Sequence, residues 1–131
     1  MKFHDLKHMR VPENQRGALW WLCERELAER AVTLADTIIE SSHDDYTRYR
    51  GRKLLDVRLD YLERVDDTCD AILCELSKSD PVVADVAARY YLKHEQMTAI
   101  ARERGVDMAA LRSRMYNVLG KFRPPACAAS A

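Results

Sequence analysis

Leu55, Leu62, Cys69 and Leu76 stand at intervals of seven residues. Two turns of an α-helix bring a residue back to the same side, so this spacing draws one apolar stripe along one helix. Leu59, Val65, Ile72 and Leu73 fill the neighbouring stripe. Together they predict a helix over residues 52–78. Upstream, Trp20, Leu27, Ala31, Leu34 and Ile38 recur at three- and four-residue steps, with Glu24 as a polar interruption, and predict a helix over residues 14–40. Glu26 and Glu29 stand one helical turn from Arg30 and Arg25, where ion pairs form. The stretch "SSHDDYTRYRG", residues 41–51, breaks the pattern between the two. Two helices of similar length, each with an apolar stripe, predict an antiparallel hairpin. Four glycines and four prolines in 131 residues suit long helices with few turns.

Such a hairpin buries one seam by itself. A homodimer of four helices would bury more, so a second copy is an expected partner. Trp20 and Trp21 read as core and seam residues. The acidic side of the second helix carries Asp56, Asp60, Glu63, Asp66, Asp67 and Asp70. It reads as a solvated face, with a site for a basic protein surface as the alternative.

Beyond the hairpin, Asp80 is a good N-cap and Pro81 suits a first helical turn. That helix is expected to reach Leu92, and a short one to follow over residues 96–104. Gly105 ends the short helix as a C-cap glycine does, and Asp107 caps a last helix over residues 108–122. The fold class expected is therefore all-α. A long antiparallel hairpin is followed by a carboxyl-terminal unit of three helices with helix-turn-helix geometry. In domain terms, residues 1–79 form an arm and the hairpin, residues 80–123 the helix-turn-helix, and residues 124–131 a flexible tail. Ala101 suits a close helix crossing, and Val106 is expected to plug the corner.

Zero net charge hides an asymmetry. Residues 1–79 hold 13 cations and 16 acids, residues 80–131 hold 8 and 5, and residues 89–123 hold 8 and 3. A cationic end is the footprint expected of a chain that meets a polyanion. In the last helix Leu111, Met115, Val118, Leu119 and Phe122 share one side. Arg112, Ser113, Tyr116, Asn117 and Lys121 share the other, as in a helix that enters a major groove with its cations on phosphates.

The stretch "IARERGVDMAALRSRMYNVLGKFR", residues 100–123, resembles the fourth-region helix-turn-helix of sigma-70-type factors. That pattern runs Ile-Ala, three residues, Gly-Val, then Val/Leu-Lys/Arg-Ser-Arg-Leu, and closes with Leu-Arg. Ile100, Ala101, Gly105, Val106, Leu111, Arg112, Ser113, Arg114, Met115, Leu119, Phe122 and Arg123 fall in its register. The preceding "RYYLKHEQMTAIA" is similar to the entry of that unit. A small chain with this unit at its end is also similar to the Q-type late antiterminators of lambdoid bacteriophages. The resemblance implies a DNA-binding transcription regulator of a bacteriophage. It would act in late-gene antitermination, with double-stranded DNA and bacterial RNA polymerase as partners. The DNA-binding residues it implies are Arg112, Ser113, Arg114, Tyr116, Asn117, Lys121 and Arg123. Arg114 stands at the edge of the buried side, where a phosphate or an acid would meet it. One departure is clear. Met108, Ala109 and Ala110 occupy the base-reading start of the last helix, and Asp107 replaces the usual Ser or Thr. Alanine touches a thymine methyl but cannot hydrogen-bond a base edge, so modest sequence discrimination and a steep salt dependence are expected.

A second basic patch, "YTRYRGRK", places Arg48, Arg50, Arg52 and Lys53 with Tyr46 and Tyr49 at the hairpin tip. It reads as a solvated tip or as a second contact to nucleic acid or polymerase, since Arg and Tyr favour phosphate pairing and stacking. The rest of the chain points away from catalysis. It has no nucleophile patterned with a base, no phosphate-cradling glycine loop and no cofactor motif. Cys23, Cys69, Cys74 and Cys127 form no CxxC pair and read as buried reduced thiols, with no metal site expected. His4 and His8 read as solvated. There is no signal-peptide pattern and no apolar run long enough to span a bilayer, so the expected location is the cytoplasm of the bacterial host. A helical assembly or adaptor protein, such as a small packaging subunit that oligomerises through its helix-turn-helix, is the alternative function.

Overall fold

Asp44 decides where the second helix begins. Its carboxylate accepts hydrogen bonds from the Thr47 backbone N–H and the Thr47 hydroxyl, each at 2.8 Å. Both bonds hold its pKa below the usual carboxylate range. The computed structural model describes residues 16–124, which are all-helical with no strand among them. Helix α1 runs Ala18–Ser41 and α2 runs Asp45–Ser79. The break expected over residues 41–51 therefore shrinks to three residues, and Tyr46–Lys53 forms the first turns of α2 instead of a loop. An Asp that satisfies two donors of the first turn is a strong start signal, and it outweighs the helix-weakening Gly51. Gly51 is buried because Ile39 and Ile38 of α1 lie against it.

The two helices run antiparallel. Arg25 bonds Asp66 at 2.6 Å, Tyr61 donates to Glu24 at 2.9 Å, and Gly51 meets Ile39. Arg25–Glu29 and Arg30–Glu26 pair one turn apart on α1, as their spacing predicts.

Helix α3, Pro81–Ala87, starts with the Asp80 side chain accepting from Val83 N–H at 3.1 Å. The expected continuation to Leu92 changes character: Ala88–Leu92 is a π turn, closed by Lys93 N–H donating to the Ala88 carbonyl at 3.1 Å. His94 then takes a left-handed backbone, φ 57°. Glu95 N–H reaches back six residues to the Arg89 carbonyl at 2.9 Å and ends the helix. Helix α4 is Met97–Arg104 and α5 is Met108–Lys121. Gly105, φ 67°, turns the chain between them.

One buried cluster holds these pieces. Trp20, Trp21 and Leu22 of α1 meet Val65, Cys69, Ile72 and Leu76 of α2, and both meet Val83, Tyr91, Ile100, Met115 and Leu119. The cluster crosses the junction at 79/80. It is closed by the first N–H of α1, since Ala18 N–H donates to the Phe122 carbonyl, just past α5, at 3.0 Å. Gly17 makes this approach possible, because a Cβ there would meet the Arg123 side chain and the Phe122 carbonyl.

The burial expected at Leu34, Leu59, Val106 and Cys74 needs correction. Leu34 is 61% exposed and Leu59 44% exposed, because α3, α4 and α5 cover only the start of α1 and the end of α2. Val106 does not plug the corner: its N–H bonds the Ala101 carbonyl at 3.0 Å while its side chain stays exposed. Cys74 is exposed, on the side of α2 away from Ile72 and Leu76, whereas Cys69 is buried and Cys23 half-buried. No described helix is long and apolar enough to cross a membrane. The arm at residues 1–13, with His4 and His8, and Cys127 of the tail lie outside the described residues.

Candidate nucleic-acid interface

The side of α5 that faces solvent is fixed by the side that does not. Leu111, Met115 and Leu119 recur at four-residue steps and are buried in the common core. Val118 and Phe122 are half-buried against it. Arg112, Ser113, Asn117 and Lys121 are therefore carried to the outside, where all four are exposed. Asp107 accepts from Ala110 N–H at 2.9 Å and starts the helix.

The other three residues expected here behave differently. Tyr116 is 39% exposed and leans towards Tyr90, and partial burial followed by Tyr90 raises its pKa. Arg114 donates to Asp80 at 3.1 Å, so it ties α5 to the start of α3. Arg123 stands beyond the helix and donates to the Gly120 carbonyl at 3.3 Å.

The charge pattern of residues 80–123 is more informative than the charge count. Arg89 gathers Asp85, Glu95 and Glu103. Arg104 bonds Asp85 at 2.6 Å, and Asp80 takes Arg114. Asp107 serves as a cap. Every carboxylate of this stretch is thus engaged, and three arginines engage four of the five. Arg112 and Lys121 make no ion pair among the described residues, and the same holds for Lys93 and for Arg102 in the last turn of α4. Arg102 escaped the sequence reading. No local signal marks it: Glu95 and Glu103 pair with Arg89, a pairing visible only once the π turn and α4 are placed.

Beside α5 a cavity of about 400 Å³ opens between α1 and the π turn, bordered by Cys23, Tyr90, His94 and Tyr116. Burial pushes the Cys23 thiol and the Tyr91 phenol up, so both hold their protons at neutral pH. His94 Nε2 lies 3.3 Å from Glu29. Among the described residues no group of three His, Cys, Asp or Glu gathers as a metal site requires.

The second basic patch lies on the first turns of α2. Arg48 folds back to the Ser42 carbonyl at 3.3 Å and to Asp45 at 3.6 Å. Arg50 lies over the Tyr46 ring at 5.9 Å and Lys53 over the Tyr49 ring at 5.5 Å, while Arg52 is exposed. Tyr46, Tyr49, Arg50 and Lys53 share one side of the helix, whereas Arg48 and Arg52 stand on another, so the helix divides the patch expected from the sequence. Comparison of the chain with protein-family models, with curated proteins and with solved structures finds no match.

Proposed function

We propose that the chain is a DNA-binding transcription regulator. In this reading α4 and α5 form a sigma region 4-like helix-turn-helix, α1 and α2 form the hairpin that carries it, and α5 enters the major groove. The observation that carries it is a set of cations, Arg112 and Lys121 on α5 and Arg102 on α4, that have no carboxylate partner among the described residues, where each acid of residues 80–123 is engaged. Unpaired cations on the outside of a buried helix suit phosphates, which position a protein without reading sequence. Ser113 and Asn117 are the exposed side chains able to reach base edges. Arg114 acts in this reading through Asp80, and Arg123 at the rim. The resemblance to Q-type late antiterminators extends the proposal to a bacteriophage factor that acts with host RNA polymerase in the bacterial cytoplasm.

A duplex-binding assay at about 50 mM and about 200 mM salt tests this, because a chain that neutralises several phosphates weakens steeply over that range. Arg112→Ala with Lys121→Ala should weaken binding on every sequence and reduce the salt slope by about two. Salt-independent binding, or an unchanged slope in the double variant, would sink the proposal. A helical assembly protein is the second reading, favoured by the exposed Leu34, Tyr46, Tyr49, Val57 and Leu59 of the α1–α2 pair.

A further inference from the structure

The α1–α2 pair extends well past the core. Between Cys23 and Arg64 the buried residues are Ala28, Ala35 and Gly51, none with a side chain larger than a methyl. Five of the seven large apolar residues that are exposed among the described residues fall in the same span: Leu34, Tyr46, Tyr49, Val57 and Leu59. Two helices alone bury too little to hold such a length apart from a partner.

The outward side of α2 states what that partner is. Tyr46, Lys53, Asp60 and Asp67 stand seven residues apart on it, with Arg50, Val57 and Arg64 beside them. The stripe opposes the one that holds Gly51, Val65, Cys69 and Ile72. The charge on this side is split along the helix: Arg50 and Lys53 with Asp56 stand in its first half, and Asp60, Glu63, Asp67 and Asp70 with Arg64 in its second. Asp60, Glu63, Asp67 and Asp70 are exposed and make no ion pair among the described residues. Partial burial, then Asp66 and Asp67, push the Asp70 carboxyl up, and Arg25, which bonds Asp66, offsets them only in part. At the other end, Tyr46, Tyr49, Arg50, Lys53 and Val57 line an open groove of about 760 Å³.

We propose that a second copy of this chain packs along the outward side of α2, antiparallel and two-fold symmetric about Asp60. Lys53 then lies opposite Asp67, Arg50 opposite Asp70 and Arg64 opposite Asp56, each pair twice. Tyr46 and Tyr49 of each copy cover the far half of the other's α2. A parallel arrangement would set each of these charges against its like, whereas the antiparallel one does so on this side at the axis alone, where the two Asp60 carboxylates meet, so the charge split selects the antiparallel one. The contact leaves Arg112 and Lys121 out of the interface, so it does not depend on DNA binding.

The test is sedimentation equilibrium of the full chain without DNA at low salt and at about 1 M salt, where charges are screened beyond about 3 Å. The expected result is a dimer at low salt that dissociates towards a monomer at high salt. Arg50→Glu with Lys53→Glu should be monomeric with helical content retained by circular dichroism. Adding Asp67→Lys and Asp70→Lys to that variant should restore the dimer, because both sides of each pair are then reversed. A wild-type monomer at tens of micromolar would overturn the proposal. A dimer unmoved by Arg50→Glu with Lys53→Glu would overturn it equally. Loss of DNA affinity in that variant with no change in mass would assign the patch to nucleic acid instead.

Discussion

The two ends of the α1–α2 pair are built from the same kind of sequence and live in different surroundings. At one end Trp21, Leu22, Cys69, Ile72 and Leu76 are enclosed by α3, the π turn, α4 and α5. At the other end Leu34, Val57 and Leu59 face solvent from helices with the same three- and four-residue apolar spacing. The spacing makes both ends helical. Burial comes from what folds back over them, and among the described residues the cover lies over the first end. Stability therefore concentrates near the carboxyl-terminal helices, while the far end is available to a partner.

The largest test of that contrast compares truncations at the two ends. Ile72→Ala or Leu119→Ala, each removing a fully buried side chain, should cost about 2–5 kcal/mol in urea unfolding. Leu34→Ala or Val57→Ala should stay within about 0.5 kcal/mol in a dilute sample. Equal losses at both ends would erase the distinction.

Alkaline pH should act on the enclosed end next. Burial pushes the Cys69 thiol from 9.0 to about 12, and burial followed by Glu24 pushes Tyr61 from 10.0 to about 12. The folded pKa exceeds the unfolded one in both, so their contribution is fully present below pH 9. It is lost as pH rises, because the unfolded chain gives up these protons first. For Cys69 the loss is at most about 1.4 kcal/mol per pH unit. Denaturant midpoints measured from pH 8 upwards should fall, and Cys69→Ala should flatten the fall. An unchanged slope in that variant would show that Cys69 does not titrate as its burial requires.

The smallest effect sharpens the contrast with glycines. A Cβ at Gly120 meets nothing within 4 Å, so Gly120→Ala should stabilise α5 by about 0.5–1 kcal/mol. At Gly51 a Cβ would lie 2.8 Å from Ile39 Cγ1. The same change there should bring no gain, because Ile39 must move in a tight spot of an otherwise open pair. Thermal unfolding of both variants reads the difference, and an equal gain at Gly51 would mean that the pair is looser than its contacts indicate.

Several parts of this architecture were legible in residue types. Asp80, Pro81, Gly105 and Asp107 each act on backbone groups within a few residues, so their helix boundaries need no tertiary information. The exposed side of α5 follows from Leu111, Met115 and Leu119 in the same way. Asp44 acts as locally, but the polar run around it and Gly51 hide the helix start in the sequence. The π turn at Ala88–Leu92 was not legible, since "ARYYL" carries no proline or glycine to mark it. The position of Arg114 in the sequence suits a phosphate or an acid alike, and the fold supplies the acid by bringing Asp80 to 3.1 Å.

The chain's sequence by itself determined that it is helical, where most helices start and stop, and which side of each could be buried. Those properties depend on backbone hydrogen bonds and side-chain spacing within a few turns. Tertiary structure decided which stretches of the apolar stripes are covered, which cations lose their charge to neighbours, and that Ala18 closes on Phe122. Burial and ion pairing depend on groups far apart in sequence, and only the folded path of α3, α4 and α5 brings them together.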